Sequence, residues 1–247
     1  MWGHELTASN PIVLVHGSNG GGWVWKRVAP VLRAAGHDVY TPTLSGLADR
    51  RHLLASGIDL TTHVDDVANL LVYEDLSDVT LVGHSYAGMV ISGVAATAPE
   101  RLKRVVYLDA YVPDPGQSAT DLWPEERRAY AERADPSGEG VARPPPLALF
   151  GLTDPGLVEW IEARMSPHPV ATYAQPVPRG DARSAALERV FISCTANPAT
   201  TPDVFGPFAE KARSSGWAVY EVAAGHLVMF TAPEELAQVL SEVAARG

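Results

Sequence analysis

Val79-Thr80-Leu81-Val82-Gly83-His84-Ser85-Tyr86-Ala87-Gly88 starts with apolar and β-branched residues and ends among very small ones. The apolar run reads as a buried strand breaking at Gly83, and Tyr86 to Ala98 continue as a small-residue helix stopped near Pro99. A serine on a sharp strand-to-helix turn has its hydroxyl lifted above the sheet. Such a turn crowds its own backbone, so the residues two before and two after the serine must be small. Gly83 and Ala87 meet that demand, with Ala87 a mild departure from G-x-S-x-G. Ser85 is thus a candidate nucleophile. The plainer reading is a serine capping a helix.

Outward from this turn, short apolar runs alternate with amphipathic segments, a rhythm that predicts a parallel α/β sheet. Pro11 to Val15 reads as a strand breaking at the turn Gly17 to Gly22. Trp23 to Ala35 reads as a helix ended by Gly36, and His37 to Leu44 as a second strand. Leu60, Val64, Val67 and Leu71 fall at helical spacing. Arg104 to Asp109, Val190 to Thr195 and Trp217 to Val222 complete the strands. A last helix begins near Pro233, with Glu234 and Glu235 in its first turn.

Between Tyr111 and Arg189 the alternation stops and prolines become dense. A structureless loop of that length does not suit a compact domain. The stretch also carries packing residues: Trp123, Phe150, Trp160 and Tyr173. We read residues 111–188 as a helical cap inserted into a core made of 1–110 and 189–247. A partly disordered excursion near 135–146 is the alternative for that part.

The 247 residues are 46% hydrophobic and 19% charged, an ordinary globular balance. A net charge of −10 disfavours nucleic acid and anionic membrane surfaces as partners. Cys194 is the single cysteine, so no internal disulfide can form. The start, Met1-Trp2-Gly3-His4-Glu5, has no basic segment of the kind that opens a secretory signal. No apolar run approaches the ~20 residues of a membrane span. A cytoplasmic location is expected.

A serine hydroxyl needs a base. Of the eight histidines, His226 follows the last strand and precedes the last helix, where this architecture carries its base. His84 flanks the serine and is expected to be structural, and His16 to tie down the glycine turn. An oxyanion needs converging N–H donors. The N–H of Tyr86 is one candidate, and that of Ser18 in His16-Gly17-Ser18-Asn19-Gly20-Gly21-Gly22 is the other. That turn lacks the Gly-Lys-Ser/Thr ending of a phosphate loop and does not spell G-x-G-x-x-G.

The landmarks Leu14-Val15-His16-Gly17, Gly21-Gly22-Trp23-Val24-Trp25, the serine turn, Val106-Tyr107-Leu108-Asp109-Ala110-Tyr111-Val112-Pro113, Pro167-His168-Pro169 and Gly225-His226 run through nearly the whole chain. Together they resemble the α/β-hydrolase superfamily. More narrowly, they resemble the family of plant methyl esterases, hydroxynitrile lyases and bacterial pyrethroid-hydrolase-like carboxylesterases. The resemblance implies an α/β-hydrolase fold, a six-stranded, mostly parallel sheet under a helical cap, with no cofactor and no metal. The lyase branch carries a Thr after the first His and a Lys after the base. Gly17 and Leu227 stand there, which speaks against cyanohydrin cleavage.

The family's acid sits in a Cys-Thr-x-Asp pattern, but this chain reads Cys194-Thr195-Ala196-Asn197. Three residues compete to orient His226: Asp109 at the end of the fourth strand, Asn197 acting without charge, and Asp203, whose plainer role is a helix cap. Asp109 is put first, because α/β sheets gather active groups at the carboxyl ends of their strands. On that view Asn197→Asp would leave activity unchanged or raise it. The expectation is a serine esterase with catalytic Ser85, His226 and Asp109, and oxyanion donors Ser18 and Tyr86. Asn19, Trp123 and Asn197 are expected to contact substrate. The expected partner is a small-molecule ester, with a homodimer as the other association considered. A non-hydrolytic cyclase or lyase, or a ligand-binding pseudo-hydrolase, is the rival reading.

Overall fold

The apolar runs become parallel strands because helices cover both faces, so each run can bury every side chain. Ile12–Val15 (β1), Val39–Tyr40 (β2), Val79–His84 (β3), Leu102–Leu108 (β4), Glu188–Cys194 (β7) and Ala218–Val222 (β8) form the main sheet. Its order is β2-β1-β3-β4-β7-β8, and all pairs are parallel. Val141–Ala142 (β5) and His168–Pro169 (β6) form a separate antiparallel pair. The computed structural model describes residues 11–123, 140–197 and 203–246. The amino-terminal residues read above for a signal, and cap residues 124–139, lie outside that set.

One apolar layer joins the helices Leu60–Tyr73 and Ala87–Thr97 to one face of the sheet. A second joins Ala29–Ala34 and Pro233–Ala245 to the other. Two elements differ from their sequence-based limits. The helix expected over Trp23 to Ala35 is divided into a 3-10 turn, Gly22–Trp25, and a helix, Ala29–Ala34. Pro30 has no N–H to bond back into a preceding turn, so it sits at the start of the second piece. The second strand is only Val39–Tyr40, because Pro42 cannot donate to a ladder and β2 is an edge strand.

Strand register brings the site together. His84 pairs with Leu108, so the next residues, Ser85 and Asp109, leave the sheet side by side. Leu108 pairs with Ile192 and Cys194 with Val222. Thr195 N–H then donates to Val222 O and Ala196 N–H to Ala224 O, zipping the loop after β7 to the segment that leads to His226.

Part of the 111–188 stretch packs on the glycine turn. Asn19 Nδ2 donates to Ala142 O (3.1 Å) and to Ser166 O (2.9 Å). Trp23 packs edge-on against Trp160 of the cap helix Pro155–Glu162 and stacks on Phe230, just past His226. The end of the 111–188 stretch behaves differently. Its helix Ala182–Ala186 packs against Pro99–Arg101, at the amino end of β4, and not over the serine. Residues 140–146, within the stretch where disorder was the alternative, hold β5.

Candidate active site

Ser85 has φ +57°, a strained backbone for a side-chain-bearing residue. The surroundings impose it. Ser85 N–H donates to Leu108 O and Tyr111 N–H to Ser85 O, both at 3.2 Å, so the turn is bonded to the strand beside it. A Cβ on Gly83 would lie 2.7 Å from Ala87 O, and one on Gly88 would collide with Tyr111 O. These contacts explain the small residues around the serine.

The glycine turn passes directly over this point. A Cβ on Gly17 would come within 3.0 Å of Ser85 Cβ. Among the described residues, neither Ser18 N–H nor Tyr86 N–H donates to another group, so both donors remain free. His16 braces the turn from below. Its Nδ1–H donates to Gly17 O (2.8 Å), while its Nε2 accepts Leu44 N–H (3.1 Å). Burial pulls the His16 pKa down to about 4, so the ring is neutral at pH 7. The Tyr86 hydroxyl donates to His63 Nδ1 (2.9 Å), whose Nε2–H donates to Ser45 O (3.0 Å). Burial lowers the His63 pKa and raises that of Tyr86, keeping both neutral.

His226 Nδ1–H donates to Asp109 Oδ2 at 2.6 Å. An ionised carboxylate only accepts, so the proton belongs on Nδ1 and Nε2 is left as the free acceptor. Both residues are buried, Asp109 2% and His226 7% exposed. Asp109 has φ +42°, its N–H donates to Ile192 O (2.8 Å), and its Oδ1 accepts Cys194 N–H (3.3 Å). The main chain of His226 is held twice more. Its N–H donates to Asn197 Oδ1 (2.9 Å), and its carbonyl accepts His84 Nε2–H (2.9 Å). His84 stays neutral because burial, reinforced by nearby His226, drives its pKa well down. Among the described residues Ser85 Oγ forms no hydrogen bond with His226. Hydrogen bonds of this kind often tighten only around a substrate.

Of the three candidates for orienting the base, only Asp109 meets the imidazole. Asn197 touches the main chain of His226, and its Nδ2 donates to Cys194 O (3.2 Å). Asp203 Oδ1 accepts Gly206 N–H (2.7 Å), from the first residue of the helix Gly206–Ser214, whose N-cap position is Phe205. The residues expected to contact substrate are differently occupied. Both amide ends of Asn197 and both N–H groups of Asn19 face protein carbonyls or amides, because these loops need bonding partners of their own. Trp123 is buried edge-on against Tyr173 in the cluster that includes Tyr86, Tyr111 and Phe205.

Sequence reasoning missed Phe205 and Phe150. Phe205 stacks on the His226 imidazole, with centroids 4.7 Å apart and planes 6° apart. Phe150, from the cap, lies 5.3 Å away at 29°. Neither carries a local motif. A recess of about 530 Å³ is lined by Trp23, Thr43, Asp49, Arg51, Arg164 and Met165, and reaches neither Ser85 nor His226. Among the described residues no group of three or more His, Cys, Asp or Glu could hold a metal ion. None of their helices is long and apolar enough to cross a membrane.

A family profile described as the alpha/beta hydrolase family matches residues 12–239. A carbendazim hydrolyzing esterase from Nocardioides sp. is 37% identical over 239 residues, covering 93% of this chain and 97% of that one. Methylesterase 3 of Arabidopsis thaliana is 26% identical, covering 94% and 95%. Among solved structures, an extracellular alpha/beta-hydrolase from a Paenibacillus species superposes with a TM-score of 0.81 at 24% identity, covering 96% of this chain and all of that one. That last likeness is one of fold.

Proposed function

This chain belongs to the alpha/beta hydrolase family, and on that premise we propose that it is a carboxylic ester hydrolase working through an acyl-enzyme. Ser85 Oγ attacks the carbonyl carbon of the ester while His226 Nε2 takes its proton. The oxyanion that forms accepts the N–H groups of Ser18 and Tyr86, and each such donor contributes roughly 3–4 kcal/mol in related chemistry. His226 then gives the proton to the departing alcohol. A water, deprotonated by the same nitrogen, releases the acid and restores Ser85.

The observation that carries this reading is the 2.6 Å contact from Asp109 to His226 Nδ1. It keeps the base in the tautomer that can accept from Ser85, and the carboxylate stabilises the imidazolium that results. The rival readings, a non-hydrolytic cyclase or lyase and a ligand-binding pseudo-hydrolase, rested on the lack of an acid at position 197, and Asp109 beside His226 Nδ1 weighs against both. Phe150, which stacks on His226, makes that side of the site aromatic, which favours small, largely apolar esters.

A serine-directed fluorophosphonate should label Ser85 alone, and p-nitrophenyl butyrate should be turned over. Ser85→Ala should remove both. Methyl esters and carbendazim, which the Nocardioides relative is named for hydrolysing, complete the panel. Turnover within tenfold of wild type in Ser85→Ala would defeat the assignment.

A further inference from the structure

The hydrolase chemistry above fixes the edges of the His226 ring and its main chain, and says nothing of its faces. Two phenyl rings stack against that ring. Phe205 is nearly parallel to the imidazole at 4.7 Å. It is itself buried and held by Tyr111 (5.3 Å) and Phe208 (6.4 Å). Phe150 approaches at 5.3 Å from the cap turn Leu147–Phe150. His84 is the remaining ring neighbour, at 4.4 Å and 36°.

This surround acts on motion and on charge. Asp109 bonds one ring nitrogen but leaves the imidazole free to swing or tilt about that bond. Rings against its faces oppose that movement, since tilting would require a packed phenyl group to give way. The face of an aromatic ring also carries negative potential and attracts a cation lying within about 6 Å of its centroid. In the proposed cycle His226 becomes a cation twice. Of the groups around the ring, Asp109 from β4 is the anionic partner, and His84 from β3 is kept neutral by burial. Cys194 on β7, beyond Asp109, holds its proton because burial pushes its thiol pKa up. From the cap, the facing side chain is uncharged Phe150. Asp203, on the segment that carries Phe205, is exposed and bonded to Gly206 N–H.

We propose that Phe205 and Phe150 are positioning residues of the base, a two-ring clamp that steadies the His226 imidazole for Ser85 and stabilises its protonated form during turnover. The inference rests on Ser85 and His226 being the catalytic pair.

The test compares Phe205→Leu, which keeps apolar bulk and loses the aromatic face, with Phe205→Tyr, which keeps the face. Phe150→Leu, at a half-buried position, serves as the second site should the buried one disturb folding. Two readouts are taken: the pKa of His226 by NMR titration of labelled imidazole, and kcat and KM for a p-nitrophenyl ester against pH. Phe205→Leu should lower the His226 pKa by roughly half a unit to one unit. The acid limb of the rate profile should move down with it. At the pH optimum kcat should fall roughly three- to tenfold with KM little changed. Phe150→Leu should act in the same direction, and Phe205→Tyr should stay near wild type. An unchanged His226 pKa in both Leu variants overturns the clamp, as does a Tyr variant as impaired as the Leu one. The titration separates this inference from the functional reading, because it reports on the clamp even if no ester is turned over.

Discussion

Asp109 Oδ2 lies 2.6 Å from His226 Nδ1, across 117 residues of chain. Three features create that contact. The register of β3 with β4 sets Asp109 beside Ser85, a φ of +42° turns it out of the strand, and Cys194 N–H fixes its other oxygen. The carboxylate therefore arrives already oriented, and the ring need not search for it.

Asp109→Asn should lower kcat by about 10²–10⁴ with little change in KM, because the carboxylate acts on the imidazolium formed in the transition state. Steady-state kinetics on a p-nitrophenyl ester measure this. A loss smaller than threefold would show that His226 does not depend on Asp109.

Asn197→Asp should neither raise activity nor rescue Asp109→Asn. This narrows the expectation drawn from sequence, which allowed a rise, for a geometric reason. The Asn197 side chain bonds the main chain, and its Nδ2 donates to Cys194 O. A carboxylate there would set an oxygen against that carbonyl, at a cost of about 1–2 kcal/mol. Thermal unfolding should show a Tm lower by a few degrees. A double variant with wild-type turnover would contradict the argument.

Asn19→Gly and Asn19→Ala should differ in an informative way. Asn19 has φ +61° and tethers two cap carbonyls beside the proposed oxyanion donor Ser18. Glycine keeps the backbone and loses the tether, whereas alanine also strains the turn by about 1 kcal/mol. Both should reduce kcat about tenfold through a looser cap, with the alanine variant the less stable by calorimetry. Wild-type kcat in the glycine variant would separate the tether from catalysis.

Stability should fall steeply on the acid side. The folded protein holds His16 at a pKa of about 4 against 6.5 when unfolded, and His63, His84 and His168 are also lowered by burial. Below pH 6.5 the unfolded chain takes up protons that the folded one refuses, so stability present above that value is lost as pH falls. For His16 alone the loss is roughly 3 kcal/mol by pH 4. Calorimetry in two buffers at pH 5.5 should detect uptake of more than one proton on unfolding. Uptake near zero would mean that these rings are already protonated in the folded state.

Much of the site was legible locally. The serine turn, the base after the last strand and the glycine turn each depend on residues close in sequence, whose sterics any chain must obey. Gly83 faces Ala87 O, for the reason that a small residue was expected there, whereas the demand for Gly88 comes from Tyr111 O on the neighbouring segment. Element limits were less legible where a proline intervened, as at Pro30 and Pro42.

The sequence by itself determined the alternating α/β plan and singled out Ser85 and His226 as candidates, because periodicity and turn sterics act over a few residues. Among Asp109, Asn197 and Asp203 it ranked Asp109 first on strand position alone, with the other two left open. All three lie in loops near strand ends, and composition does not say which side chain points at a ring. Tertiary structure decided that through strand register, positive φ at Asp109, and hydrogen bonds that commit Asn197 to main chain and Asp203 to a helix start. The rings on His226 were decided the same way: Phe150 reaches it from the 111–188 stretch and Phe205 from the segment before the helix Gly206–Ser214, and contacts between distant segments leave no periodic trace in either.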